Sequence, residues 1–331
     1  MEALLKEKVD IMVANYQELK GNFKWDANLA RHFGAMTHAT KGLKVDVKLI
    51  EEIKNYLKEE TSWTSYFRGT NGFLMANLLC FEEDYKEFFK NMVRVHEKMR
   101  EAKFRKSPQL PLAAYTIVKE SPIQEWDNRI DRMNAFYKKM KENHFWLTSA
   151  DDYVFAAVLA TTELDVQDTS DKIEACYSLL NHEGLHKSND LQTLSHVLAL
   201  GEEEVNVKCD KAIKLYLGLK DKKCKLQYHG LATLGLLTLI TNDVEKIINE
   251  IVEVYDYIYE KRGYGLLILD KSMRVILSST LVSDLYVDDI KKGVLQIALG
   301  NSINAIIIAQ QQAVIASACA ASAAASSSAG S

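Results

Sequence analysis

Four aspartates stand where chemistry could be done: Asp151 and Asp152 in TSADDYVF, Asp190 in SNDLQTL and Asp270 in ILDKSM. Each precedes or opens a stretch whose apolar residues recur at helical spacing. Carboxylates converging from helix starts are how glycosidases pair a general acid with a general base. Capping asks for the same placement, because a short polar side chain there accepts the leftover N–H groups of the first turn. Capping therefore accounts for the acids without further assumptions. Arg68 in SYFRGTNG sits beside a glycine in a connection, suited to a carboxylate or phosphate partner. His196 takes a place in LSHVL where comparable stretches carry a small residue, and reads first as a core histidine. His182 and His186 stand four apart, but Gly184 between them makes a turn and no H-E-x-x-H context surrounds them. No metal site, cofactor or catalytic residue is expected from these patterns, so Arg68, Asp151, Asp152, Asp190, His196 and Asp270 stand as candidate binding residues.

The elements that must position these residues share one phrase, a bulky apolar residue followed by small ones. It recurs at Phe33, Leu74, Leu112, Phe155, Leu194, Leu231 and Leu277, with a mean spacing near 41. The small residues let neighbouring helices approach closely while the bulky one fills the groove behind them. The spacing predicts about seven helical hairpins, each an inner helix bearing the phrase followed by an outer one. The class is all-α, an α/α superhelix of solenoid type that could close towards an α/α toroid. Glu2 to Lys20 carries one apolar stripe through Leu5, Val9, Met12, Tyr16 and Leu19 and reads as a terminal cap. Ser107-Pro108 and Ser121-Pro122 read as helix starts, as do Asp46, Ser149 with Asp152, and Asn189-Asp190. LLILDK reads as a connection and helix start rather than a strand.

Charge follows the same alternation. Connections leading to outer helices are acidic (Glu82, Glu83, Asp84; Glu202, Glu203, Glu204), and those leading to inner helices are often basic (Lys103, Arg105, Lys106; Lys220, Lys222, Lys223). Complementing the helix dipoles accounts for this, and a ligand-binding rim is the rival reading. The net charge of −4 argues against a nucleic-acid partner. Five cysteines without a C-x-x-C pair, and an N-terminal stretch unlike a secretory signal, point to the cytoplasm. The 39 residues after Lys292 carry no charge and end in ACAASAAASSSAGS. Gln310 to Gln312 interrupt that stretch, so no membrane span is expected there. Residues 1–292 then form a helical-repeat domain, and 293–331 an Ala/Ser/Ile-rich helix and tail that packs on the last hairpin or on another subunit.

The stretches NFKWDANLARHFGAM, SYFRGTNGF, SPQLPLAAYTI, HFWLTSADDYVFAAVLA and NDLQTLSHVLAL resemble domain-of-unknown-function family 4003, an uncharacterised bacterial family of about this length. The resemblance implies a bacterial, cytoplasmic, full-length module and transfers no activity, cofactor or site. On the residues, the leading expectation is a non-catalytic scaffold for a protein or peptide partner. The alternatives are an α/α-toroid hydrolase or lyase using the acids at inner-helix starts, and a structural protein that self-associates through 293–331.

Overall fold

The computed structural model of the protein describes residues 1–226 and 230–291. The helices are α1 (Ala3–Asn22), α2 (Asn28–Thr40), α3 (Val47–Glu59), α4 (Gly69–Leu79), α5 (Tyr85–Glu101), α6 (Leu110–Glu120) and α7 (Trp126–Asn143). They continue with α8 (Tyr153–Ala160), α9 (Val166–His182), α10 (Asn189–Leu198), α11 (Val205–Asp221), α12 (Gly230–Ile240), α13 (Val244–Tyr259) and α14 (Lys271–Lys291). The described residues contain no strand, and Leu266–Asp270 is a turn and helix start as expected. The expected division at residue 292 and the tail beyond it lie outside the described residues.

All seven phrases fall on even-numbered helices. Every residue of α8 and of α12 is buried, whereas α3, α5 and α13 bury a single stripe. A helix apolar on all sides needs neighbours on all sides, and one with a stripe needs them on one. Even helices therefore form an inner layer and odd helices an outer one. The small residues act as the spacing argument requires. A Cβ on Gly34 would come 2.7 Å from Asn77 Oδ1 on α4, and one on Gly235 would come 2.8 Å from Val197 Cγ1 on α10. Ala157 is fully buried on α8, which packs against α6 and α10.

The layers close on themselves. Helix α14 packs against α12, and also against α1 and α2, while α13 packs against α1. Tyr257 donates to Asp10 at 2.8 Å, Tyr264 to the Met12 carbonyl at 3.3 Å, and Lys8 pairs with Asp284. The α1 stripe, expected as a terminal cap, is thus an outer helix flanked on both sides. All five of its stripe residues are buried because α13 and α14 return to cover it.

Short links make consecutive helices antiparallel, so inner helices all begin at one end of the ring, here the leading end. At the opposite, trailing end, outer helices start on aspartates. Asp46 accepts from Leu49 N–H, Asp84 from Lys86 and Glu87, Asp165 from Gln167 and Asp168, and Asp243 from Lys246. Of the acids named above, Asp84 is such a cap, whereas Glu204 precedes α11 without a side-chain cap bond, and Glu82 and Glu203 pair with Lys119 and Lys211. Three expected starts shift. Ser107-Pro108 lies ahead of α6, whose first turn holds Pro111, and Ser121-Pro122 leads a 3-10 turn at Ile123–Glu125 before α7. Ser188, not Asn189, caps α10 by accepting from Leu191 N–H. A cap needs extended backbone, and Ser188 is the residue that has it.

Candidate functional site

At the leading end, neighbouring inner-helix starts are tied by side chains. Asn71 Nδ2 donates to the Pro108 carbonyl at 2.7 Å, Gln109 Nε2 to Asp151 Oδ1, and Asn28 Nδ2 to the Ile268 carbonyl at 3.1 Å. Basic side chains hold the connections from below. Arg31 donates to the carbonyls of Phe23 and Lys24, and fully buried Arg274 to those of Tyr264 and Leu269. Outer helices α5, α9 and α11 end here with Lys103, Gly184 and Lys223 at φ of 73°, 99° and 61°. The next residue in each case, Phe104, Leu185 or Cys224, is buried and returns its N–H to Met99, Leu180 or Leu219. That bond closes the helix end and turns the chain inward.

The candidate residues divide on this frame. Arg68 turns back on α3, donating to Thr61 Oγ1 at 3.2 Å and to the carbonyls of Lys58 and Thr61. Asp270 accepts from Met273 N–H at 3.0 Å and caps α14. Asp151 is exposed and receives Gln109 and the Ser149 hydroxyl. Asp152 is buried, with Oδ2 receiving Ser149 N–H at 2.8 Å and Oδ1 without a partner. Burial pushes its carboxyl up to about 7, the Asp151 charge adding to the rise and the Ser149 N–H opposing it. His196 is buried on α10 near Phe155, with neither ring nitrogen partnered. Burial, with a smaller effect from His144, holds it down at about 3, so it is neutral. The acids share one end of the ring, yet among the described residues no nucleophile with a partnered base is assembled there.

Asp190 lines a cleft. The cleft holds about 540 Å³ between the α9–α10 connection, the end of α11 and the start of α12. His186, Tyr216, Lys220 and Lys225 join Asp190 in its wall, and the Lys225 ammonium stands 5.6 Å from the Tyr216 ring centre. Its volume lies within the range of small-molecule sites, and its wall mixes both signs of charge. Among the described residues no group of three His, Cys, Asp or Glu side chains could hold a metal ion. No described helix is long and apolar enough to cross a membrane.

A larger feature surrounds the cleft, and sequence reasoning missed it. Trp25, Trp63 and Trp146 are 101%, 85% and 92% exposed, and Leu267 is 102% exposed. They sit in four separate connections, all at the leading end, with exposed Tyr66, Phe145 and Leu266 beside them. The trailing links expose only the aliphatics Leu43 and Ile123 among the described large apolar residues. The available signal was position: three of four tryptophans fall in connections (FKWDA, TSWTS, HFWLT) rather than in an apolar stripe.

The profile of the family described as "Protein of unknown function (DUF4003)" matches residues 15–312. The chain belongs to this DUF4003 family. The match runs from within α1 past the end of α14, so it takes in α13 and α14 but begins after the ring-closing residues Lys8, Asp10 and Met12 of α1. A relative, the uncharacterized protein YeaA of Bacillus subtilis (strain 168), is 25% identical over 244 residues, covering 71% of this chain and 73% of that protein. No solved structure matches.

Proposed function

We propose that this DUF4003 protein is a non-catalytic helical scaffold that docks its leading end onto a partner surface. The observation that carries the reading is the placement of Trp25, Trp63, Trp146 and Leu267, fully or almost fully exposed, on one end of the ring. Soluble proteins seldom leave large aromatic side chains uncovered together unless something covers them in use. The connections bearing Trp25 and Leu267 are anchored by Arg31 and Arg274, so those exposed residues stand on a fixed base. An α/α-toroid hydrolase or lyase would need paired, reachable carboxyls. Asp152 is sealed, Asp270 is spent on a helix start, and Arg68 is spent on α3. Self-association through 293–331 concerns residues outside the described ones.

Photo-crosslinking in the producing cell tests the docking reading. A photoreactive amino acid placed at Trp25 or Trp146 is expected to give abundant adducts, protein or lipid. The same probe at Glu83 or Glu203, on the trailing end, is expected to give few. Equal adducts from the two ends would overturn the reading.

A further inference from the structure

The leading end carries two chemistries in adjoining sectors. Around the ring, Leu266–Ile268, Trp25 and Trp63 with Tyr66 occupy three successive connections, the ones entering α14, α2 and α4. The next connection holds exposed Lys103, Arg105 and Lys106. Phe145 and Trp146 follow, and two connections later come exposed Lys222 and Lys223. Apolar and basic sectors thus alternate around one rim. Asp151, Glu183 and Glu260 are exposed at this end too, but the acidic runs, Glu82, Glu83 and Asp84 and Glu202–Glu204, lie at the other end. A net charge of −4 therefore conceals a molecule with one basic, aromatic end and one acidic end.

We infer that the leading end seats on a bilayer surface carrying anionic headgroups; the inference rests on the docking reading above and names its partner. Tryptophan and tyrosine favour the headgroup level of a bilayer, where the ring is buried and its polar edge stays wet. Lysine and arginine are drawn to anionic lipid within a Debye length of the surface. One weak anchor gives only marginal attachment, and apolar side chains combined with a basic patch give the two signals that stable attachment takes. A protein partner complementary to this rim would have to match apolar and basic sectors in alternation, whereas a lipid surface is fluid and needs no such match. The acidic end faces away from the bilayer in this pose, as repulsion between like charges requires.

Full-length protein is mixed with vesicles of phosphatidylcholine alone or with about one-third phosphatidylglycerol, and partitioning is read by sedimentation. Trp126 is 2% exposed, so the three rim tryptophans dominate any change in emission. Binding to the anionic vesicles is expected, with a blue shift, quenching by brominated acyl chains and release at 1 M salt. Trp25→Ser with Trp63→Ser and Trp146→Ser should weaken partitioning at least tenfold. So should Arg105→Glu with Lys106→Glu and Lys222→Glu. Both triple variants change exposed residues only, and unchanged circular dichroism and melting confirm that they fold. Absence of binding to anionic vesicles at low salt would overturn the inference, as would binding that neither variant weakens. Rim crosslinks to protein without vesicle binding would sink the bilayer and leave the docking reading standing; equal crosslinking of both ends would sink both.

Discussion

The two ends of the ring are built from the same helices and solve opposite problems. At the trailing end the links are short, and four of them stop on an aspartate whose carboxylate takes the first N–H groups of an outer helix. At the leading end the links run longer, as in 60–68, 144–152 and 260–270, and their apolar side chains point at solvent, with buried Arg274 holding two carbonyls of 260–270. The trailing end is finished by satisfying its own backbone. The leading end satisfies its backbone and leaves apolar surface over. Surplus of that kind, on connections fixed by a rigid scaffold, is where binding residues concentrate.

The largest test of this contrast is a pH effect at the leading end. Asp152 has its carboxyl raised by burial from 3.8 to about 7. Such a group contributes its full stability below its unfolded value, near 4, and loses it as pH rises through about 7. Asp152→Asn cannot ionise, so its stability relative to wild type should rise by on the order of 3 kcal/mol between pH 4 and pH 8. Urea denaturation at several pH values measures the difference, and a flat difference would mean that Asp152 ionises without cost. His32 and His196 act in the other sense. Burial lowers both to about 3, so their stability is present above 6.5 and lost as pH falls towards 3. They cancel in the wild-type-minus-variant comparison.

Next in size is the anchor beneath the 260–270 connection. Arg274→Ala leaves the carbonyls of Tyr264 and Leu269 without their donor and opens a buried space, for a loss of about 3 kcal/mol. A loss below about 1 kcal/mol in equilibrium denaturation would show that the connection holds itself. The caps come third: Asp84→Ala and Asp243→Ala should each cost about 1 kcal/mol. Trp25→Ser and Trp63→Ser, at the other end, should stay within about 0.5 kcal/mol of wild type. Equal costs at both ends would erase the contrast. The smallest effect is a gain. Lys223 holds a left-handed conformation, at φ 61°, in the role that Gly184 fills at the end of α9. Lys223→Gly should therefore stabilise by roughly 0.5 kcal/mol, read as a small rise in melting temperature.

Much of this architecture is legible in the chain because it is local. The phrase beginning at Phe33 or Phe155 needs only helical periodicity to be read as an inner helix, and Asp46 needs only the first turn of α3 to be read as its cap. Asn189 was the less successful reading, since Ser188 before it offers the same chemistry and backbone geometry chooses between them. Ring closure is not local. It depends on how small rotations between successive pairs add up, and the α1 stripe looks the same whether it ends a stack or is covered by α13 and α14. The site was the harder part. Arg68 promised a ligand by its type, but it is the carbonyls of Lys58 and Thr61 that its guanidinium finds. Trp25 and Trp146 would have been counted as core by type, and only their place in a connection pointed outwards.

The closing of α1 against α13 and α14 also sets an order of events during synthesis. Tyr16 packs on Tyr264 with ring centres 5.5 Å apart, and Asp10 takes its hydrogen bond from Tyr257. About 250 residues must be translated between the first member of each pair and the second, which at 5–20 residues per second takes roughly 10–50 s. Throughout that interval α2 and α3 can cover α1 on one side only. Helix α1, which leaves the ribosome long before α13 and α14, is therefore among the last of the described helices to be completed, and its uncovered flank is a surface that a chaperone or a neighbouring nascent chain would meet in the meantime.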